Sequence, residues 1–233
     1  MQIFKTARLV KEQLILATLL SYVFLFAANS VQDSASIMVN LSAGLINIYL
    51  LAKILITLYQ QSNSSLAAPS ELTSIMLKIF KMGVWTVLVL FLPLTFLTIG
   101  SLWFMITDEG SLELVTALFG SATLAITTFV LFKTSLAVTL KLTTGEDISA
   151  WSAFKRSNKQ NSSALIHALV YGAILFPALL INAIFTTDIG WVDADLMKAG
   201  AVLLTTPLAW LITISGITSI NRPMTTLSTQ ENM

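Results

Sequence analysis

Apolar residues run through this chain in long blocks, and polar residues are confined to short stretches between them. The blocks fall at roughly 13–29, 36–59, 82–106, 112–134, 164–186 and 197–220. A helix that crosses a bilayer needs about 20 mostly apolar residues. Each block meets or approaches that length without alternating polar positions, so each predicts a helix apolar on all sides. The predicted fold class is all-α: a polytopic transmembrane bundle of six spans forming one integral membrane domain over 1–233. The fourth run continues past Lys133 to Leu142. That is too long for the bilayer alone, so the end of this helix is expected to project into water.

The first block imitates a secretory signal peptide. A basic "MQIFKTARLVK" precedes the apolar "LILATLLSYVFLFAA", and small residues follow. Five more apolar blocks come after it, so the first is read as a retained membrane anchor.

Composition supports the membrane reading. The chain is 55% hydrophobic and only 11% charged, with a mean hydropathy of +0.82. A soluble domain carries about a quarter charged residues, and so few charges cannot cover a water-facing surface of this size. A net charge of +1 gives no basis for a nucleic-acid partner. The absence of cysteine excludes disulfides, thiolate metal sites and cysteine nucleophiles. One histidine, His167, excludes a histidine metal cluster. Nothing resembles a P-loop, a dinucleotide fingerprint, a zinc helix or a nucleophile elbow. No catalytic residue, metal or cofactor is therefore predicted.

The distribution of charge predicts orientation. Lys5, Arg8 and Lys11 precede the first span, Lys78 and Lys81 lie in the second inter-span segment, and Arg222 lies in the tail. The fourth segment holds Lys141, Lys155, Arg156 and Lys159. The alternate segments carry Asp33, Asp108, Glu109, Asp188, Asp193 and Asp195, with Lys198 as their lone base. Cytoplasmic segments are the basic ones. An even number of spans with both termini inside satisfies every segment at once. Trp103 and Trp191 then fall near the outer boundary, and Trp85 and Trp151 near the inner one, as interfacial aromatics do.

The two basic inter-span segments look alike. "PSELTSIMLKIFK" (69–81) and "GEDISAWSAFKRS" (145–157) each begin with turn residues and an acid, then become helical and basic. "YLLAK" before the first ends at Lys53, and "FVLFK" before the second ends at Lys133. Pro93 and Pro177 lie at similar depth in the spans that follow. Spans 2–3 and 4–5 thus read as a tandem hairpin repeat; the composition shared by all membrane helices is the other reading. Pro93, Pro177 and Pro207 are expected to kink their spans. Ser121-x-x-x-Ala125, Ala168-x-x-x-Gly172 and Ser215-x-x-x-Ser219 are small-residue pairs that permit close helix packing.

Segments 70–81 and 147–160 are predicted as amphipathic and cytoplasmic. At about 100° per residue, Ala150, Trp151, Ala153 and Phe154 cover one arc of the second, and Lys155, Arg156 and Lys159 the opposite one. Ile148 breaks the pattern and belongs to the turn before the helix, which Asp147 or Ser149 caps. Such a helix lies in the interface, with Trp151 and Phe154 in the acyl boundary and the bases toward anionic headgroups. It serves either as a topology anchor or as a docking surface for anionic lipid or a cytoplasmic protein partner.

Ionisable residues at membrane depth point to function. Lys53 and Lys133 either snorkel to the interface or face a cytoplasm-facing polar cavity between the hairpins, where they would hold an anion. His167, one turn into span 5, reads as a satisfied interfacial histidine or a proton relay. Asn47 and Asn182 fit helix-to-helix hydrogen bonds; Asn182 and His167 are further cavity candidates.

"DISAWSAFKRSNKQNSSALIHALVYGAILF" (147–176) resembles a segment of the YciC-like group of bacterial six-span inner-membrane proteins. It is also similar to the membrane domain attached to some glycerophosphodiester phosphodiesterases. The resemblance rests on Ala153-Phe154-Lys155-Arg156-Ser157, with Asn161 leading into the next span. It implies a non-catalytic protein of the bacterial inner membrane that acts through packing, lipid or a partner. A small transporter or channel built around Lys53 and Lys133 is the alternative expectation.

Overall fold

The computed structural model describes residues 11–29, 33–62, 72–107, 112–184 and 193–231. Among the described residues every regular element is helical. Six long helices, α1 (Lys11–Asn29), α2 (Asp33–Ser62), α3 (Leu72–Thr107), α4 (Leu112–Thr134), α7 (Asn161–Ile184) and α8 (Ala194–Glu231), coincide with the six apolar blocks. Between α4 and α7 lie the short α5 (Leu136–Thr143), α6 (Ala150–Arg156) and a 3₁₀ turn, Ser157–Gln160. Among the described residues, five helical stretches are long and apolar enough to cross a membrane: Leu41–Tyr59, Leu72–Phe91, Leu114–Thr143, Asn161–Ile181 and Leu196–Thr218.

The long helices close a ring. α1 packs on α2, α2 on α3, α3 on α4, α4 on α7, α7 on α8, and α8 returns to α1. The pairing of α4 with α7 is the most extensive. Two of the small-residue pairs expected from the sequence meet there: a Cβ added at Gly172 would lie 3.0 Å from the Ser121 carbonyl oxygen and 3.1 Å from the Ala125 Cβ. The outward faces carry large apolar side chains such as Leu41, Leu88 and Leu204, each more than 60% exposed. Such a surface suits hydrocarbon.

The helix expected to project into water does the opposite. α5 turns inward against α2, α3 and α8 and fills one end of the ring. Leu136, Val138, Leu140 and Leu142 are at most 5% exposed. The cause is compositional: Leu136, Ala137, Val138, Leu140 and Leu142 make most of α5 apolar, and exposing it would cost about 25 cal/mol for each Å² of apolar surface. Ser135 makes the turn without orphaning the backbone. Its hydroxyl donates to the Phe132 carbonyl at 2.6 Å, and the Val138 and Thr139 amides both return to its own carbonyl. Tyr59 and Thr139 pair their hydroxyls at 3.3 Å, satisfying the polar side of α5. Gly145, in the left-handed region at φ 74°, follows the C-cap Thr144 and ends the helix.

Segment 70–81 is not a separate interfacial helix. Its described part, from Leu72, forms the first turns of α3, which runs unbroken for 36 residues, about 54 Å at 1.5 Å per residue. Segment 147–160 is likewise not one helix. α6 has seven residues, and the 3₁₀ turn carries the chain directly into α7. α7 continues as helix through Pro177, and α8 continues through Pro207 to Glu231, beyond the expected end near 220.

The basic end of the bundle, a candidate functional site

α5, α6, the first turns of α3 and the start of α7 meet at one end of the bundle. The described lysines and arginine there are Lys78, Lys81, Lys133, Lys141, Lys155 and Arg156. Asp147 organises the turn before α6. Lys78 of α3 donates to its carboxylate and to the Ile148 carbonyl, and Lys141 of α5 donates to the other carboxylate oxygen at 3.2 Å. The hydrogen bond from Lys78, and then that from Lys141, holds the Asp147 carboxyl below the usual carboxylate range. Asp147 is thus committed to cross-linking three segments, and Ser149 caps α6, accepting from the Ser152 amide at 3.1 Å. Ile148 lies in the turn, buried beneath it.

The two arcs of α6 have different fates. Ala153 is fully buried, whereas Lys155 and Arg156 are exposed. Arg156 pairs with Glu146 at 2.8 Å. Trp151 and Phe154, the pair expected at the acyl boundary, also contact the bundle. Their rings are parallel, with centroids 6.1 Å apart, and each lies 6.1 Å from the ring of Trp85 on α3. Trp151 remains 50% exposed, with the Lys155 ammonium 4.8 Å over its ring.

Beneath this layer lies Lys133, 3% exposed. Its ammonium is 3.9 Å from the centroid of Phe154 and 5.6 Å from that of Phe129, and it donates to Asn158 Oδ1 at 2.7 Å. A desolvated ammonium held against aromatic faces gains about 2 kcal/mol or more from the ring quadrupole. Ser157, also fully buried, donates to the Phe154 carbonyl at 2.9 Å and fixes the junction of α6 with the 3₁₀ turn. Nothing in the sequence pairs Asn158 with Lys133 or Lys78 with Asp147. The likeness of the two basic segments was the one hint that they would meet.

The remaining predicted residues separate. Lys53 is exposed on the outward side of α2, following the row Met38, Leu41, Leu45, Tyr49. His167 donates from Nδ1 to the Ser163 carbonyl at 2.8 Å and meets the edge of Phe132, its ring centroid 6.2 Å away. The side chains of Lys159, Asn182 and Pro93 lie outside the described residues. At the opposite end Asp193 caps α8, accepting from the Leu196 amide at 3.1 Å.

A cavity of about 640 Å³ lies within the ring, walled by α2, α3, α4, α7 and α8 and floored by Ser135 and Val138. Neither lysine enters it, and neither does His167. The three residues expected to line a cavity between the hairpins thus lie outside this one. Lys133 is consumed by Asn158 and Phe154, Lys53 points away from the ring, and His167 is satisfied within α7. The lysines matched by the suspected repeat thus have unlike surroundings. Among the described residues no three His, Asp or Glu side chains are grouped to hold a metal. No family model, no curated protein and no solved structure matches the chain.

Proposed function

We propose that this is a non-catalytic integral protein of the bacterial inner membrane, with six spans and both termini in the cytoplasm. It acts through contact between its basic cytoplasmic end and anionic lipid or a protein partner. The alternation of basic and acidic inter-span segments supports the orientation, with α1 as the sixth span. The resemblance of 147–176 to the YciC-like group supports the role.

The observation that carries this reading is the surface of α6. A half-exposed Trp151 lies flat beneath the Lys155 ammonium, next to the exposed Arg156. Capping by Ser149 and the Lys78–Asp147–Lys141 cross-link hold that surface in place before anything binds. An amphipathic edge of aromatic and base suits a headgroup boundary, and each base near an anionic surface contributes about 1 kcal/mol. Lys159 adds a third base to this stretch.

The test is lipid capture by the purified protein, with phosphatidylglycerol set against phosphatidylcholine and read by native mass spectrometry. Wild type should retain the anionic lipid preferentially. Lys155→Glu, Arg156→Glu and Lys159→Glu together should abolish the preference without unfolding the protein. Crosslinking in native membranes tests the partner arm: loss of a reproducible adduct in the same variant is expected. Unchanged capture in both arms defeats the role of this surface.

A further inference from the structure

The cavity inside the ring has no part in the basic surface, and its chemistry points elsewhere. Among the described residues, no charged side chain lines it. Its walls are mainly aliphatic and aromatic, from Leu51 and Leu55 on α2 to Leu175 on α7 and Trp210 on α8. Several wall hydroxyls are already committed to their own helices: Ser135 donates to the Phe132 carbonyl and Thr213 to the Ala209 carbonyl at 2.8 Å. Asn47 and Tyr171 supply further polar surface. Water entering would find few partners, and a charged solute would lose its hydration without compensation.

The cavity also reaches the outside of the bundle sideways. Phe80 and Val84 of α3 line it and are 48% and 45% exposed. On the same flank of α3, Val87 is 61% exposed. That flank, from Phe80 level with the inner boundary to Val87 within the span, belongs to the outward apolar surface, and the opening is read as facing the bilayer at the inner end of α3. A volume of about 640 Å³ lies within the range of small-molecule and cofactor sites. A void of that size left empty would forfeit dispersion contacts along all its walls.

We propose that this cavity is a binding site for one hydrocarbon chain of a membrane lipid, which enters laterally from the bilayer beside α3. The chain is as apolar outside the cavity as inside, so burial of apolar surface contributes little to its retention. Shape and close contact with Trp210, Tyr171 and Phe132 hold it instead. Gly83 keeps the site open. A Cβ there would meet nothing within 4 Å, so a larger residue would grow into free space in the cavity. This inference rests on the membrane embedding alone and is independent of the basic surface.

The experiment reconstitutes the full chain in phosphatidylcholine carrying a diazirine near the end of one acyl chain, followed by irradiation and peptide mapping. In wild type, adducts should form on the inward Tyr171 and Trp210 as well as on the outward Leu204. Gly83→Trp should cut the inward adducts about tenfold, as expected when a filled pocket keeps no room for its ligand, and should leave Leu204 unchanged. Leu51→Trp fills the same space from the neighbouring wall on α2 should Gly83→Trp fail to fold. Because the lipid is zwitterionic, Lys155→Glu with Arg156→Glu should leave every adduct in place. Wild-type adducts confined to outward residues overturn the proposal. So does rapid modification of Gly83→Cys by a water-soluble maleimide, which would show an aqueous cavity.

Discussion

The Lys133 ammonium donates to Asn158 Oδ1 at 2.7 Å, tying the last turn of α4 to the 3₁₀ turn that starts α7. With Phe154 3.9 Å above the same ammonium, α6 is clamped over a buried cation. A buried charge is costly unless it is paired and hydrogen-bonded, so this clamp depends on both partners.

Asn158→Leu is therefore expected to destabilise the protein by about 1–3 kcal/mol, the cost of leaving a buried donor without its partner. Lys133→Met keeps the stem and discards the charge, and should be close to neutral. Combining the two should recover most of the Asn158→Leu loss. Unfolding midpoints in detergent for the four proteins of the cycle measure the coupling; strictly additive losses would contradict the clamp.

Close helix contacts should be intolerant of a single methyl. A Cβ at Gly216 would meet the Phe132 ring at 2.6 Å, and that ring is 1% exposed. Gly216→Ala should cost about 1–3 kcal/mol through overpacking. Gly172→Ala, at 3.0 Å from a backbone carbonyl, should also destabilise, by forcing α7 away from α4. Gly44→Ala has open space around it and should be tolerated. Thermal unfolding of the three variants ranks them.

The burial of α5 can be read chemically, because the natural chain has no cysteine to interfere. Leu142→Cys, at a site 1% exposed, should react with a soluble maleimide at least tenfold more slowly than Glu146→Cys, which is exposed. Equal rates would return α5 to the solvent.

Asp147 sets a pH dependence. Its carboxyl is held below the usual range by Lys78 and then Lys141, so its folded pKa lies under the unfolded value near 3.9. The stabilisation is complete above that unfolded value and is lost as pH falls through the folded one. Because the side chain is 58% exposed, solvent screening keeps the effect modest. Wild type should be more stable than Asp147→Asn at pH 6, and the gap should close progressively below about pH 4. A gap that persists unchanged to pH 2 would exclude the cross-link as its source.

The blocks of apolar residues placed every long helix, because length and hydropathy are local properties that a membrane reads directly. The seam of α4 with α7 was legible too, as two small-residue pairs in the right spans, although nothing local said that they would face each other. Ser149 as a cap and Ile148 in the turn before α6 were also accessible, since capping is decided within a few residues.

Tertiary structure decided the rest. Apolarity marks α5 as needing burial, but only the ring around it offers protein in place of lipid. Lys53 and Lys133 follow similar sequence patterns, yet one faces outward and the other is buried, because the angular position of a helix in a ring is set by its neighbours. The pairing of Lys78 with Asp147 spans 69 positions, and that of Lys133 with Asn158 spans 25. Contacts at such separations form only once the helices are assembled. The sequence by itself therefore determined a helical membrane protein with a basic end, while packing determined which bases are spent inside it and which stay at its surface.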